Sequence, residues 1–295
     1  MQQANRSRHR HITSFQVISL GFLSVILLGS LLLMLPIATK SGQCTSFLDA
    51  LFTATSAVCV TGLVVNDTAT YWSLFGQGVI LLLIQIGGMG IITIAIAIAV
   101  VSGRKIGLMQ RSTMQEAISA PTVGGIVRRT QFIIRTTILI EIIGAVLLAP
   151  VFCRDFGFWK GIWYSLFHSI SAFCNAGFDL IGIRTPFSSL TSYSVQPIVN
   201  LVIMMLIIAG GIGFITWEDI KNHKWHFKKY RMQSKVIFMV TGILIFLPAL
   251  YFFCFEFSNV PLTERVWVSL FQSVTPRTAG FNTADLTLFS EVGQM

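Results

Sequence analysis

Residues 51–63 read LFTATSAVCVTGL, residues 166–178 read LFHSISAFCNAGF, and residues 270–281 read LFQSVTPRTAGF. Each copy opens on Leu-Phe and closes on a small residue, a glycine and an apolar residue. From Phe to Gly is ten residues in the first two copies (Phe52 to Gly62, Phe167 to Gly177) and nine in the third (Phe271 to Gly280). Three spaced copies mark a repeated structural unit, and a repeat decides the fold before any single motif does.

The flanks repeat as well. Apolar runs near 14–36, 75–101, 132–152, 194–216 and 234–256 are each long enough to cross a membrane, since a hydrocarbon core of about 30 Å needs roughly 20 helical residues. The segments at 47–58, 163–174 and 267–275 are too short for that and fit re-entrant half-helices. The first two copies are followed by a run carrying a glycine cluster, QIGGMGI at 85–91 and IAGGIGF at 208–214. The expected fold is therefore an all-α integral membrane protein of repeated helix–pore loop–helix units, two complete and a third partial, arranged around an ion pore. Its divisions are a basic N-terminus (1–13), a first unit (14–102), a loop (103–130), a second unit (131–216), a basic loop (217–233) and a partial third unit (234–295).

Composition agrees. Of 295 residues 54% are hydrophobic and 11% charged, far below the roughly 25% charged residues of soluble domains. The apolar run after Arg6, Arg8 and Arg10 exceeds a signal-peptide core and lacks a small-residue cleavage site, so it reads as a retained helix. The net charge of +9 is a matter of topology and does not point to nucleic acid: Lys and Arg number three in the N-terminal tail, six in 102–135 and six in 217–235, against six in all the opposite-side segments. The positive-inside bias places the N-terminus and both basic loops in the cytoplasm, with membrane lipid as their first partner, and leaves all three half-helices on the outer face. Five cysteines with no C-x-x-C spacing, and no nucleophile–base pair or phosphate loop, give no sign of a cofactor or an enzyme.

Irregular backbone at membrane depth survives only buried in protein or lining water. The segments after the half-helices are such backbone: Val60, Thr61, Gly62 and Leu63; Asn175, Ala176, Gly177 and Phe178; Thr278, Ala279, Gly280 and Phe281. Gathered round an axis, their carbonyls can replace the hydration shell of a cation. The half-helices aim their partially negative C-terminal ends at the cavity beyond. Asp67 and Asp285, five residues after their glycines, and Asp179, two after Gly177, would concentrate cations at the pore mouth.

The stretches SAVCVTGLVVND (56–67), SISAFCNAGFDL (169–180) and SVTPRTAGFNTAD (273–285) resemble the first three pore loops of the Trk/Ktr/HKT superfamily of potassium transporters. One helix before the first loop makes the likeness greatest to Ktr-type subunits. The resemblance implies potassium as the transported ion, held by backbone carbonyls of Gly62, Gly177 and Gly280, with sodium as a coupled ion. It implies a homodimer and a cytoplasmic nucleotide-binding regulatory subunit. Glycine at position 62, where sodium-preferring plant relatives carry serine, implies potassium selectivity. The chain stops at LFSEVGQM, where the inward helix of the third unit is expected, so the reading is of a C-terminally truncated member. The alternatives are a nonfunctional or assembly-only fragment and a broken-helix secondary transporter of another solute; the latter calls for inverted repeats, whereas these units all enter from one side.

Nine further positions stand out. Gly87, Gly88, Gly90, Gly210, Gly211 and Gly213 are read as packing glycines, with a hinge as the alternative. Glu141, an acid inside a span, is read chiefly as a structural partner and otherwise as a step on the ion's path. His168, at the repeat position of Thr53 and Gln272, is read as a polar packing residue. Arg277 is read either as a fixed charge beside the third filter segment or as a partner of an acid such as Asp285.

Overall fold

The computed structural model describes residues 13–91, 93, 94, 115, 125–224, 226–284, 289, 290 and 293. Most of the loop 103–130 and Asp285 fall outside the described residues. Among the described residues there is no strand, only an isolated bridge between Thr39 and Trp72, and the chain is an all-α membrane protein.

Helix α1 (Ser14–Leu33) begins at a reciprocal cap, in which the Thr13 hydroxyl accepts from the Gln16 amide and the Gln16 side chain accepts from the Thr13 amide. Leu20, Leu23, Leu27, Leu28 and Leu31 are exposed along it, as suits a helix whose solvent is lipid. The first half-helix, α2 (Phe47–Val58), is capped by Ser46. After a short turn, α3 (Thr68–Tyr71), the chain enters α4 (Leu74–Met89) under a Ser73 cap.

The second unit follows the same plan. Helix α5 (Ile126–Phe156) runs 31 residues. At Gly157 the chain reverses directly into the second half-helix, α6 (Phe158–Phe173). This starts earlier than the composition suggested, because the apolar stretch around Trp159 continues the helix outward. The inward helix α7 (Pro197–Gly211) is followed by α8 (Phe214–His223) at a bend of 96°. The third unit holds α9 (Met232–Tyr251), extended by a wider turn over Phe252–Glu256, and the third half-helix α10 (Leu262–Val274), which tightens over Thr275–Arg277.

Among the described residues three helices are long and apolar enough to span, Phe15–Leu33, Val127–Phe156 and Met232–Glu256, and the bent α7–α8 pair makes a fourth if counted as one. The expected straight span over 194–216 is thus a correction: α7 ends at Gly211. At 1.5 Å per residue its 15 residues reach about 22 Å, short of the roughly 30 Å core. Helix α4 has 16 residues and ends at Met89, and the later part of the run 75–101 lies largely outside the described residues.

The first two half-helices each lie between their own unit's two helices, and the third, α10, packs on α9 of its own unit. Helix α2 packs on α1 and α4, and α6 on α5 and α7. The units join through α4 against α6 and through α7 against α10. This order around a centre brings the three loops after α2, α6 and α10 together.

Candidate functional site: an arc of three filter segments

Each half-helix ends in an irregular segment with one shared construction. The filter glycines Gly62, Gly177 and Gly280 have φ of 77°, 73° and 78°, the left-handed region that only glycine enters without cost. A side chain on Gly62 would stand 2.5 Å from the Ala176 carbonyl oxygen, and one on Gly177 would collide with the Ala279 carbonyl. The loops therefore sit side by side in the order one, two, three, each glycine against the carbonyl of the residue before the next glycine. Around Gly280, among the described residues, the nearest atom to a new Cβ is the Cα of Gly177, at 4.0 Å. Gly177, in the middle, is buried, whereas Gly280 and Leu63 are exposed.

A second repeated element holds these loops, and composition alone did not single it out. Ser56, Ser171 and Thr275 stand six, six and five residues before their filter glycines. Their main-chain carbonyls accept the amides of Thr61, Ala176 and Ala279, at 2.9, 2.7 and 3.0 Å. The Ser171 hydroxyl donates to the Phe178 carbonyl at 2.7 Å and the Thr275 hydroxyl to the Phe281 carbonyl at 2.6 Å. Those two carbonyls are turned toward their own half-helices, so Phe178 and Phe281 anchor the second and third loops. In the first unit the Ser56 hydroxyl instead receives the Thr61 hydroxyl at 2.9 Å. The signal was present in the sequence as a hydroxyl four residues after the Phe of each Leu-Phe opening.

At the level two residues before the glycine, Val60 and Asn175 are left-handed, with φ of 58° and 59°. The third unit, one residue shorter, has Thr278 there at φ −163°, outside the left-handed region. The Thr278 hydroxyl donates to Asn175 Oδ1 at 2.9 Å, tying the second segment to the third.

The comparisons with known proteins meet this geometry. The TrkH family model, described as a cation transport protein, matches residues 2–295. The chain belongs to this family. Among its relatives, the potassium/sodium uptake protein NtpJ of Enterococcus hirae is 41% identical over 289 residues, 96% of this chain and 63% of that protein. The Ktr system potassium uptake protein B of Bacillus subtilis is 44% identical over 276 residues, 92% of this chain and 60% of that protein. The chain thus spans about three-fifths of the length of these relatives. The crystal structure of the potassium transporter TrkH from Vibrio parahaemolyticus shares the fold, with a TM-score of 0.63 at 20% identity over 97% of this chain and 56% of that one. With its several apolar helices, this TrkH-family chain is a multi-pass membrane protein.

The remaining predicted residues divide. Asp67 is no open mouth charge. It is 7% exposed and caps α3, its Oδ2 accepting the Thr70 amide and hydroxyl at 2.8 and 2.7 Å and its Oδ1 the Phe187 amide at 3.1 Å. It stitches the outer loop of the second unit to the first. Asp179 is half-buried beyond its filter segment and accepts the Ile181 amide at 3.0 Å. Burial pushes its carboxyl above the ordinary range, with the Ile181 and Gly182 amides opposing and the Asp67 charge adding. Asp285 lies outside the described residues.

His168 is fully buried, with Nδ1 on the Tyr164 carbonyl at 2.7 Å and Nε2 accepting the Leu180 amide at 3.3 Å. Both nitrogens are used, so the ring is a polar brace for the outer loop. Arg277 donates to the Thr241 hydroxyl at 3.2 Å, a partner on α9 that reading for acids could not find.

The glycine clusters separate by position. A Cβ on Gly87 would collide with the Val58 carbonyl, and one on Gly210 with the Phe173 carbonyl. Both are packing glycines, each pressed on the end of its own unit's half-helix, and Gly88 packs as closely on Cys174 of the second unit. Gly90 and Gly213 have φ of 81° and 79° and stand where their helices break.

Proposed function

We propose that this chain is the greater part of the pore-forming subunit of a Ktr/Trk-type potassium uptake system. The observation that carries the reading is the arc of left-handed glycines Gly62, Gly177 and Gly280, packed glycine to carbonyl. A potassium ion entering from the outer face gives up water, and the carbonyls of Val60, Thr61 and Gly62, with those of Asn175, Ala176 and Gly177 and of Thr278, Ala279 and Gly280, take its place. The negative ends of α2, α6 and α10 face the same space, and Asp179 adds charge on the outer side. The ion moves down its electrochemical gradient without a chemical step, a cofactor or catalysis.

The names of the relatives, potassium/sodium uptake protein and Ktr system potassium uptake protein B, support potassium as the transported ion and sodium as a coupled one. The excess of Lys and Arg on one side supports a cytoplasmic N-terminus in the cell membrane. A homodimer and a cytoplasmic nucleotide-binding regulatory partner complete the reading.

The test is Gly62→Ser in the full-length protein. A hydroxymethyl group at φ 77°, aimed at the Ala176 carbonyl, is expected to lower the potassium-over-sodium uptake ratio. An unchanged ratio in ion-flux assays refutes the filter assignment.

A further inference from the structure

A string of hydrogen bonds crosses all three units at the half-helix side of the filter. It starts at Glu141 on α5, which is 4% exposed; among the described residues no ion pair reaches it. An acid so placed in a bilayer is costly and seldom idle. Its two carboxylate oxygens accept from Gln85 Nε2, on α4 of the first unit, at 3.0 and 3.2 Å. With Nε2 turned to both Glu141 oxygens, the orientation of the Gln85 amide is set. Gln85 Oε1 is thereby presented to the opposite side, where it accepts the Cys174 thiol at 3.8 Å.

Cys174 is the last residue before the second filter segment. Gly88 makes room for it, since the Cys174 Cβ and Sγ lie 2.6 Å from where a Gly88 side chain would start. The next residue, Asn175, accepts the Thr278 hydroxyl of the third segment at 2.9 Å. On the other flank the Ser169 hydroxyl of α6 donates to the Glu141 main-chain carbonyl at 2.6 Å. The same residue of α5 thus holds the half-helix through its backbone and the end of that half-helix through its carboxylate.

We infer that Glu141 and Gln85 are positioning residues for the second filter segment: through Cys174 they set where Asn175 and Gly177 stand, and through Thr278 the setting passes to the third segment. Glu141 acts as an acceptor in this string, not as a stop on the ion's path. The inference rests on the potassium-filter reading above.

The test measures potassium-over-sodium uptake ratios of the full-length protein carrying Glu141→Ala, Glu141→Gln, Gln85→Leu, or Glu141→Ala with Gln85→Leu, each at a measured membrane abundance. Glu141→Ala and Gln85→Leu should each shift the ratio about tenfold, the size of one lost hydrogen bond to a charged group. The double variant should be no worse than either single one, as for members of one string. Glu141→Gln keeps a carbonyl acceptor for Gln85 and should stay within about twofold of wild type, a smaller change than the loss of one hydrogen bond. Cys174→Ala reports on the far end if a helix variant fails to reach the membrane, and should shift the ratio in the same direction. An unshifted ratio in Gln85→Leu or Cys174→Ala, or Glu141→Gln as damaging as Glu141→Ala, overturns the inference. A wild-type protein without potassium preference would overturn the filter reading and this inference with it; a potassium-selective wild type with unshifted variants overturns the inference alone.

Discussion

Ser171 shows how much a single hydroxyl does in this site. Its main-chain carbonyl takes the Ala176 amide and its hydroxyl supplies the Phe178 carbonyl. Two polar groups of a four-residue loop are therefore satisfied by one residue of the half-helix. Ser171→Ala leaves the buried Phe178 carbonyl without that donor, at an expected cost of about 1–3 kcal/mol. Ser165, one and a half turns earlier on α6, gives the contrast. Its hydroxyl bonds the Gly161 carbonyl, an ordinary back-bond four residues away within the helix. Unfolding midpoints in detergent should fall more for Ser171→Ala than for Ser165→Ala, and only the former should alter the potassium-over-sodium ratio. Asp67 teaches the same lesson from the other side. Its position after Gly62 suggested a charge facing the cation, yet three hydrogen-bond donors surround its carboxylate. Sequence spacing places a carboxylate near a mouth but does not reveal that the next turn and a loop 120 residues away have claimed its oxygens.

At the scale of the element, the two inward helices owe their packing to Gly87 and Gly210. Each lets a half-helix's final carbonyl, that of Val58 or Phe173, approach the helix backbone. Gly78, on the same helix as Gly87, has nothing within 4 Å of a new Cβ. Gly78→Ala should hold or raise the unfolding midpoint, since alanine is favoured over glycine in a helix by about 0.5–1 kcal/mol. Gly210→Ala should lower it sharply and disturb transport, because backbone must move on both sides; equal midpoints would show that the contact is loose. The half-helices themselves were legible in the sequence, since length, the Leu-Phe opening and the glycine ending recur in order. The break between α7 and α8 was not. IAGGIGF stays apolar straight through it, so hydropathy runs on while Gly213 turns the backbone to φ 79°. Nor was the Glu141–Gln85 bond legible, because residues 56 apart on different units meet only once the units are packed.

For the whole molecule, the decisive relation is the order of the three segments around their common centre. Gly62 faces the Ala176 carbonyl and Gly177 the Ala279 carbonyl, whereas among the described residues Gly280 meets no atom nearer than the Gly177 Cα at 4.0 Å. The three glycines share one backbone conformation, with φ between 73° and 78°, so alanine at any of them carries the same conformational cost of about 1–2 kcal/mol. They differ in what the added methyl meets. At Gly62 and Gly177 it would press on a neighbouring unit's carbonyl, forcing two segments apart; at Gly280 it would enter open space. In the 295-residue chain, Gly62→Ala and Gly177→Ala should therefore depress the unfolding midpoint by clearly more than Gly280→Ala, with Gly177→Ala the most damaging because its segment is flanked on both sides. Equal losses at all three positions would mean that backbone strain alone sets the cost. The segments would then not be packed glycine to carbonyl, and the arc that carries the potassium reading would have to be redrawn.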